Sequence, residues 1–234
     1  MEYKRFYGSK IGDKIVLTDR EFIHCAKVTR HKAGYSLICC TGDGTDYYCV
    51  IDEINNNNVV CSVERVEENN SETKAPLVLC QALCKEFDFV VQKAVELGVT
   101  EIVPYYSERT NVKKFSIERT ENIVLDAAKQ CGRATLPIVN DLVSFEEAIA
   151  LTKGNENKIF CYELERVNGI ETNVKKDSST VIFIGSEGGY TEQEVNLAKD
   201  NNFAIVTLGR RILRVETAAI SALVLTLNAL GDIC

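Results

Sequence analysis

The chain has only two histidines, His24 and His31, and none of its ten cysteines stand as a Cys-x-x-Cys pair. Structural zinc needs four nitrogen or sulfur ligands, usually in closely spaced pairs, so this pattern offers no metal centre to build on. Cys80 and Cys84 come nearest, but their neighbours are apolar, where free cysteine serves as a small buried hydrophobe. Reduced thiols in the cytosol are the simpler account. No apolar run approaches the roughly 20 residues of a spanning helix, and the start, MEYKRFYGSK, lacks a signal-peptide core. A cytoplasmic protein without metal or membrane partner is expected.

Overall basicity is lacking too, since 27 Lys and Arg against 34 Asp and Glu leave a net charge of −7. That balance disfavours nucleic acid at first sight, because neutralising phosphate takes Lys and Arg. The distribution is uneven. From Met1 to Lys32 there are eight basic residues against four acidic ones, a local balance of +4. Such a surface suits localised contact with a polyanion, although solvated charge without function would have the same composition.

What is present reads as two domains. Residues 14–66 contain short β segments, KIVL, YSLICCT, DYYCVIDEI and VVCSVERV, separated by Gly42-Asp43-Gly44 and by the run Asn55 to Asn58. Several short strands must hide their edges, so a small β-barrel over 1–70 is expected. Thr18 and Glu21 have the spacing of a capping box for a short helix through His24 and Val28. The polar segment 67–76, ending in Pro76, reads as a linker. Over 75–234, apolar runs (PLVLCQAL, TEIVPYY, KIFCYEL, STVIFIG, FAIVTLG) alternate with helical periods, with Gly98 and Gly132 at helix C-terminal positions. This alternation predicts an α/β domain, a parallel sheet with helices on both faces. The final helix, from Thr217, is apolar on nearly every side, so it needs cover from the sheet and another helix, or from a second subunit.

Two strand-to-helix loops stand out. In IGSEGGYTEQEV, 184–195, a carboxylate sits in a glycine-rich turn, and Thr191 and Glu194 have capping-box spacing. Glu187 would repel phosphate, and neither a P-loop lysine nor a dinucleotide fingerprint is present. A ligand here should be uncharged or cationic, approached closely by the glycine backbone. The second loop, LGRRILRVET at 208–217, brings Arg210, Arg211 and Arg214. Ligands of parallel sheets collect at the carboxyl ends of strands, so the two loops are expected to share one pocket.

Here the chain resembles the RsmE-type members of the knotted SPOUT methyltransferases, which methylate N3 of a uridine in small-subunit (16S) ribosomal RNA. The matching pieces are RFYG at 5–8, His24 with KVTR at 27–30, QKAVELGV at 92–99, ERT at 108–110, QCGR at 130–133, Pro137, GSEGGYTEQE at 185–194 and LGRRILRVETA at 208–218. Ser186 stands where the family usually has proline, and Thr29 where it usually has leucine. Proline pre-sets φ, so the serine gives up that restriction.

The resemblance implies S-adenosylmethionine as cofactor, whose sulfonium and amino group would be compatible with Glu187. It implies a C-terminal trefoil knot that no composition would suggest. Gly185, Glu187, Gly188, Leu208, Gly209, Ile212 and Leu213 would border the cofactor, with Tyr162 and Glu163 as a third wall. It implies a PUA-like barrel holding RNA, with Arg5, Lys27 and Arg30 as contacts, and a homodimer. An imide N3 reacts as its anion, so Arg109, Arg133 and Arg214 are candidates for stabilising charge or positioning RNA; arginine is too weak an acid to be the base, whose identity stays open. The alternatives are a non-catalytic RNA-binding protein, a methyltransferase of another RNA, or a metabolic enzyme using the paired loops for a different nucleotide.

Overall fold

The computed structural model describes residues 3–233. These divide into two compact units, one running to Glu72 and including Ala128–Leu136, the other comprising Thr73–Ala127 and Pro137 onward.

In the first unit, β1 (Arg5–Tyr7), β2 (Ser9–Ile11), β3 (Lys14–Thr18), β4 (Ser36–Cys40), β5 (Thr45–Ile54) and β6 (Asn58–Glu68) form one sheet in the order β1-β4-β5-β6-β3-β2. Its two edge strands are joined by Gly8 alone, so the sheet curls until its edges approach each other. A Cβ on Gly8 would lie 2.8 Å from Ile15 Cγ2 and from Leu17 Cδ2, and 2.9 Å from the Val16 carbonyl oxygen, which leaves room for glycine only. Phe6, Ile15, Leu17, Leu37, Ile51 and Val59 fill the interior with Cys25, Cys39, Cys49 and Cys61. The described cysteines are free, and burial pushes the Cys25 thiol up to about 12, so these side chains act as apolar filler.

Helix α1 (Asp19–Phe22) continues into a π-helical turn, Ile23–Val28. The expected capping box does not form there. Thr18 makes no side-chain cap, and the buried Glu21 carboxylate, which would supply the reciprocal bond, instead takes the Tyr7 N–H at 2.8 Å and the Lys129 ammonium at 2.6 Å.

The second unit contains β7 (Leu77–Ala82), α2 (Phe87–Glu96), β8 (Glu101–Tyr106), α3 (Ile117–Cys131, its last turn counted with the first unit), β9 (Ile138–Val139), β10 (Val143–Ser144), α4 (Phe145–Leu151), β11 (Asn157–Cys161), β12 (Thr180–Ile184), α5 (Glu192–Asp200), β13 (Ala204–Val206) and α6 (Val215–Leu230). Every pairing in its sheet is parallel, in the order β10-β8-β7-β12-β11-β13 with β9 beside β8. Strands β7 and β12 are buried at every residue, as a sheet covered on both faces requires. Val78, Cys80, Val181 and Phe183 pack with residues of α4 and α5 on one face, while α6 packs on β12 and α2.

The chain itself covers only one side of α6. Ala219, Ala222, Leu223 and Leu227 are buried, but Val224 is 37% exposed and Thr217 and Asn228 lie open.

Candidate active site

Four neighbouring strands, β7, β12, β11 and β13 in that order, run in parallel, and the segments after their carboxyl ends reach one cavity of about 600 Å³. Lys85 and Glu86 come from the first, Gly185–Tyr190 from the second, Tyr162 and Glu163 from the third, and Thr207–Gly209 with Arg211–Arg214 from the fourth.

The glycine turn after β12 is held by groups far away in sequence. Tyr105 Oη donates to the Ile184 carbonyl at 2.9 Å, so the 2.7 Å contact between the Tyr105 and Tyr190 hydroxyls has Tyr190 as donor. Burial pushes both phenols well above their ordinary 10, which keeps them neutral. The Gly189 N–H closes the turn onto the Ser186 carbonyl at 3.0 Å. The Ser186 hydroxyl donates to the Arg109 carbonyl at 3.3 Å, and Arg109 Nη1 donates to the Gly188 carbonyl at 3.4 Å.

A Cβ on Gly188 would lie 2.7 Å from the Arg109 carbonyl oxygen. The close approach expected of this glycine is therefore to the 107–110 segment. At Gly189 the reason is conformational, with φ +66° in the left-handed region.

The predicted capping box of α5 forms, Thr191 N–H to Glu194 Oε2 at 2.8 Å and Glu194 N–H to Thr191 Oγ1 at 3.3 Å. Glu194 Oε1 also accepts the Glu108 N–H at 3.0 Å, so the segment 107–110 is tied to this loop at a second point. Glu187 accepts the Lys85 N–H at 2.9 Å, just before α2. A carboxylate in the turn thus joins the loop after β12 to the loop after β7, at the end of a helix that favours negative charge.

The cavity wall combines carboxylates (Glu86, Glu163, Glu187, Glu216), cations (Lys85, Arg211, Arg214) and apolar groups (Leu208, Ile212, Leu213). Burial raises the Tyr162 phenol, with Glu163 adding to it, and burial pushes the Cys161 thiol up to about 12. Both are protonated at neutral pH.

A family model described as "RNA methyltransferase domain" matches residues 71–227. The chain belongs to that family. It is 33% identical over 226 residues to the ribosomal RNA small subunit methyltransferase E of Mesomycoplasma hyopneumoniae, covering 93% of this chain and 96% of that one. The protein of the same name from Bacillus subtilis is 30% identical, over 88% of this chain and 87% of its own. Among solved structures, the Neisseria gonorrhoeae ribosomal RNA small subunit methyltransferase E bound to S-adenosyl methionine superposes with a TM-score of 0.86 at 28% identity, covering 97% and 98% of the two chains. A Legionella pneumophila protein solved with bound S-adenosylmethionine gives 0.91 at 27% identity, covering 98% of each.

The structure brings together on one cavity Tyr162, Glu163, Gly185, Glu187, Gly188, Leu208, Gly209, Ile212 and Leu213. Arg214 joins them, exposed at the N-cap of α6. Arg109 does not line the cavity; it backs the glycine turn through Gly188.

Two other arginines, Arg133 and Arg5, do not line the cavity. Arg133 belongs to the first unit, where it is 3% exposed and donates through Nε to Glu72 Oε1 at 3.1 Å and through Nη2 to the other carboxylate oxygen. Its charge is occupied within the protein. Arg5 is similarly committed to Asp46, with Nη2 on Oδ2 at 2.8 Å and Nη1 on Oδ1, whereas Lys27 and Arg30 are exposed. Sequence reasoning missed Lys85, Glu86, Cys161 and Glu216 as lining residues. The signal for the first two was the strand-to-helix turn after PLVLCQAL, of the same kind as the two loops singled out.

Proposed function

We propose that the protein is an S-adenosylmethionine-dependent methyltransferase of small-subunit ribosomal RNA whose acceptor is N3 of a uridine. The observation that carries this reading is the convergence of four strand-end loops on one cavity walled by carboxylates and apolar side chains. Its volume suits a small-molecule cofactor. Leu208, Ile212 and Leu213 offer apolar surface to an adenine, and Glu163, Glu187 and Glu216 suit a cationic ligand better than a phosphate. When bound, S-adenosylmethionine supplies an electrophilic methyl group.

The chain's own residues orient the reactants. Tyr162, Glu163 and the two loops from Gly185 and Leu208 hold the cofactor, and the bonds from Tyr105, Ser186 and Glu194 keep the glycine turn in place without reorganisation. Arg214, a permanent cation on the cavity wall, stabilises the negative charge of an acceptor imide as its proton leaves. Arg109 positions the RNA from behind the glycine turn.

In the same reading the second unit is a SPOUT-type fold with a C-terminal trefoil knot. Support comes from β13 at the sheet edge and α6 against β12, two strands away, so that the segment 207–214 crosses beside the loops after β11 and β12. The first unit is a PUA-like barrel that contacts RNA through Lys27 and Arg30, and two copies pair across the open side of α6. No helix among the described residues is long and apolar enough to cross a membrane, and the reading includes a cytoplasmic location.

The test is mass mapping of small-subunit RNA from a deletion strain, before and after incubation with protein and S-adenosylmethionine. A restored N3-methyluridine is expected. A methyl group on ribose or C5 would refute the acceptor.

A further inference from the structure

The Thr29 hydroxyl makes three close contacts: the His24 carbonyl at 3.0 Å, the Cys25 carbonyl at 2.9 Å and His31 Nδ1 at 2.7 Å. Its single proton is within reach of both carbonyls and of His31 Nδ1, and the arrangement that puts a proton on every contact gives the hydroxyl's proton to the carbonyls, which can only accept. The contact with His31 is then Nδ1–H donating to Thr29 Oγ1. A neutral His31 is thereby held as the Nδ1–H tautomer, with a bare lone pair at Nε2.

That nitrogen is open. Among the described residues the buried side-chain atoms without a hydrogen-bond partner are Gln81 Oε1 and Thr226 Oγ1, so an unpaired His31 Nε2 meets solvent. The ring lies edge-on to Phe6 at 5.6 Å and to Tyr35 at 5.8 Å, and Tyr35 is 50% exposed. Burial, followed by the nearby Lys4 and His24, lowers the His31 pKa below the ordinary 6.5, which preserves the acceptor at neutral pH. Alongside, the π-helical turn ends at Val28 with Thr29 as its cap, and Arg30 follows with a φ of +55°, unusual for a residue with a side chain. Lys4, Arg30 and Lys32 are exposed around this corner.

We propose that Thr29 and His31 form an RNA-recognition site on the first unit, in which Nε2 accepts a hydrogen bond from a ribose 2′-hydroxyl of single-stranded RNA while the adjoining base lies against Tyr35. An acceptor-only nitrogen has nothing to offer a phosphate, so it must address a donor; the cations nearby draw the sugar–phosphate backbone, whose donor is the 2′-hydroxyl. That hydroxyl is also what separates RNA from DNA. The proposal rests on the RNA methyltransferase reading and adds to it how the first unit identifies its substrate class.

The experiment uses the full chain and two short fluorescent oligouridylates, one ribo and one 2′-deoxy, measured by anisotropy at neutral pH. A preference for the ribo-oligomer of about three- to tenfold is expected, the worth of one net hydrogen bond. Thr29→Val and His31→Phe should each abolish it while S-adenosylmethionine binding persists. Equal binding of both oligomers by the unmodified protein, or an unchanged preference in either variant, would overturn the site. Long-range ¹H–¹⁵N spectra of the two histidines give a reading that needs no variant: His31 should be the Nδ1–H tautomer, and an Nε2–H tautomer would overturn the proposal. Failure of the methyltransferase reading would appear separately, as absent cofactor binding in a protein that still prefers the ribo-oligomer.

Discussion

The Ser186 hydroxyl donates to the Arg109 carbonyl at 3.3 Å, joining the glycine turn of the cavity to a segment 77 residues earlier in the chain. Ser186→Ala should cost about 1 kcal/mol, the usual net worth of one hydrogen bond, and lower Tm by about 2–4 °C. Cofactor affinity, read by calorimetry, should fall with it. Ser186→Pro should recover that affinity, and a weaker proline variant would show that the bond does more than restrict the turn.

Gly188→Val should cost more. Its Cβ would lie 2.7 Å from the Arg109 carbonyl oxygen, and backbone cannot yield as a flexible side chain does. Cofactor binding should drop at least tenfold, the effect of roughly 1.4 kcal/mol of induced strain. Unchanged affinity would mean that the turn is not part of the cofactor site.

Arg214→Ala and Arg133→Ala should fail in different ways. Losing a preorganised charge on the cavity wall should slow turnover on ribosomal subunits about 10²–10³-fold with cofactor affinity nearly intact. Removing Arg133 leaves Glu72 without its bidentate partner, so urea unfolding should show a loss of about 1–3 kcal/mol while single-turnover rates on folded protein stay close to normal. The reverse pattern would exchange their roles.

Val224→Glu tests the proposed dimer. Val224 lies on the side of α6 that the chain leaves open, so a charge there should leave the fold intact and shift sedimentation at micromolar concentration from dimer to monomer. An unmodified protein that sediments as a fully active monomer would remove the dimer from the reading.

Acid should act on the first unit through Asp46. Burial alone would raise this carboxyl, but hydrogen bonds from Arg5 and Asn69 hold it below the ordinary 3.8. A carboxyl whose folded pKa is depressed adds stability that is fully present above 3.8 and is lost as pH falls through the folded value. Tyrosine fluorescence during acid titration should therefore show weaker pH dependence below 3.8 in Asp46→Asn than in the unmodified protein.

Local features were legible without a structure. Thr191 and Glu194 are three residues apart, so their spacing suffices to start α5, and the apolar runs of β7 and β12 need only be long and branched to read as buried strands. The order β7-β12-β11-β13, which brings four loops together, depends on pairings between runs up to 103 residues apart, such as Ile184 with Gln81. Periodicity carries no information about which run is the neighbour. Strands β1 and β2 escaped notice because three residues are too few to show alternation, although they form the two edges of the first unit's sheet.

The same division separates the charged residues. Composition identified a basic N-terminal segment, but whether a given charge reaches solvent depends on what folds against it. Glu21 had the spacing of a cap and was taken instead by Tyr7 and Lys129; Arg5 and Arg133 had the type of RNA contacts and were taken by Asp46 and Glu72. A buried charge must find a partner whatever its sequence distance, because leaving it unpaired costs more than any local preference can return. Sequence alone therefore determined the alternation of elements, the helix caps set by neighbours and the glycine-rich turn. Tertiary structure decided which carboxylates and arginines remain free to meet a ligand.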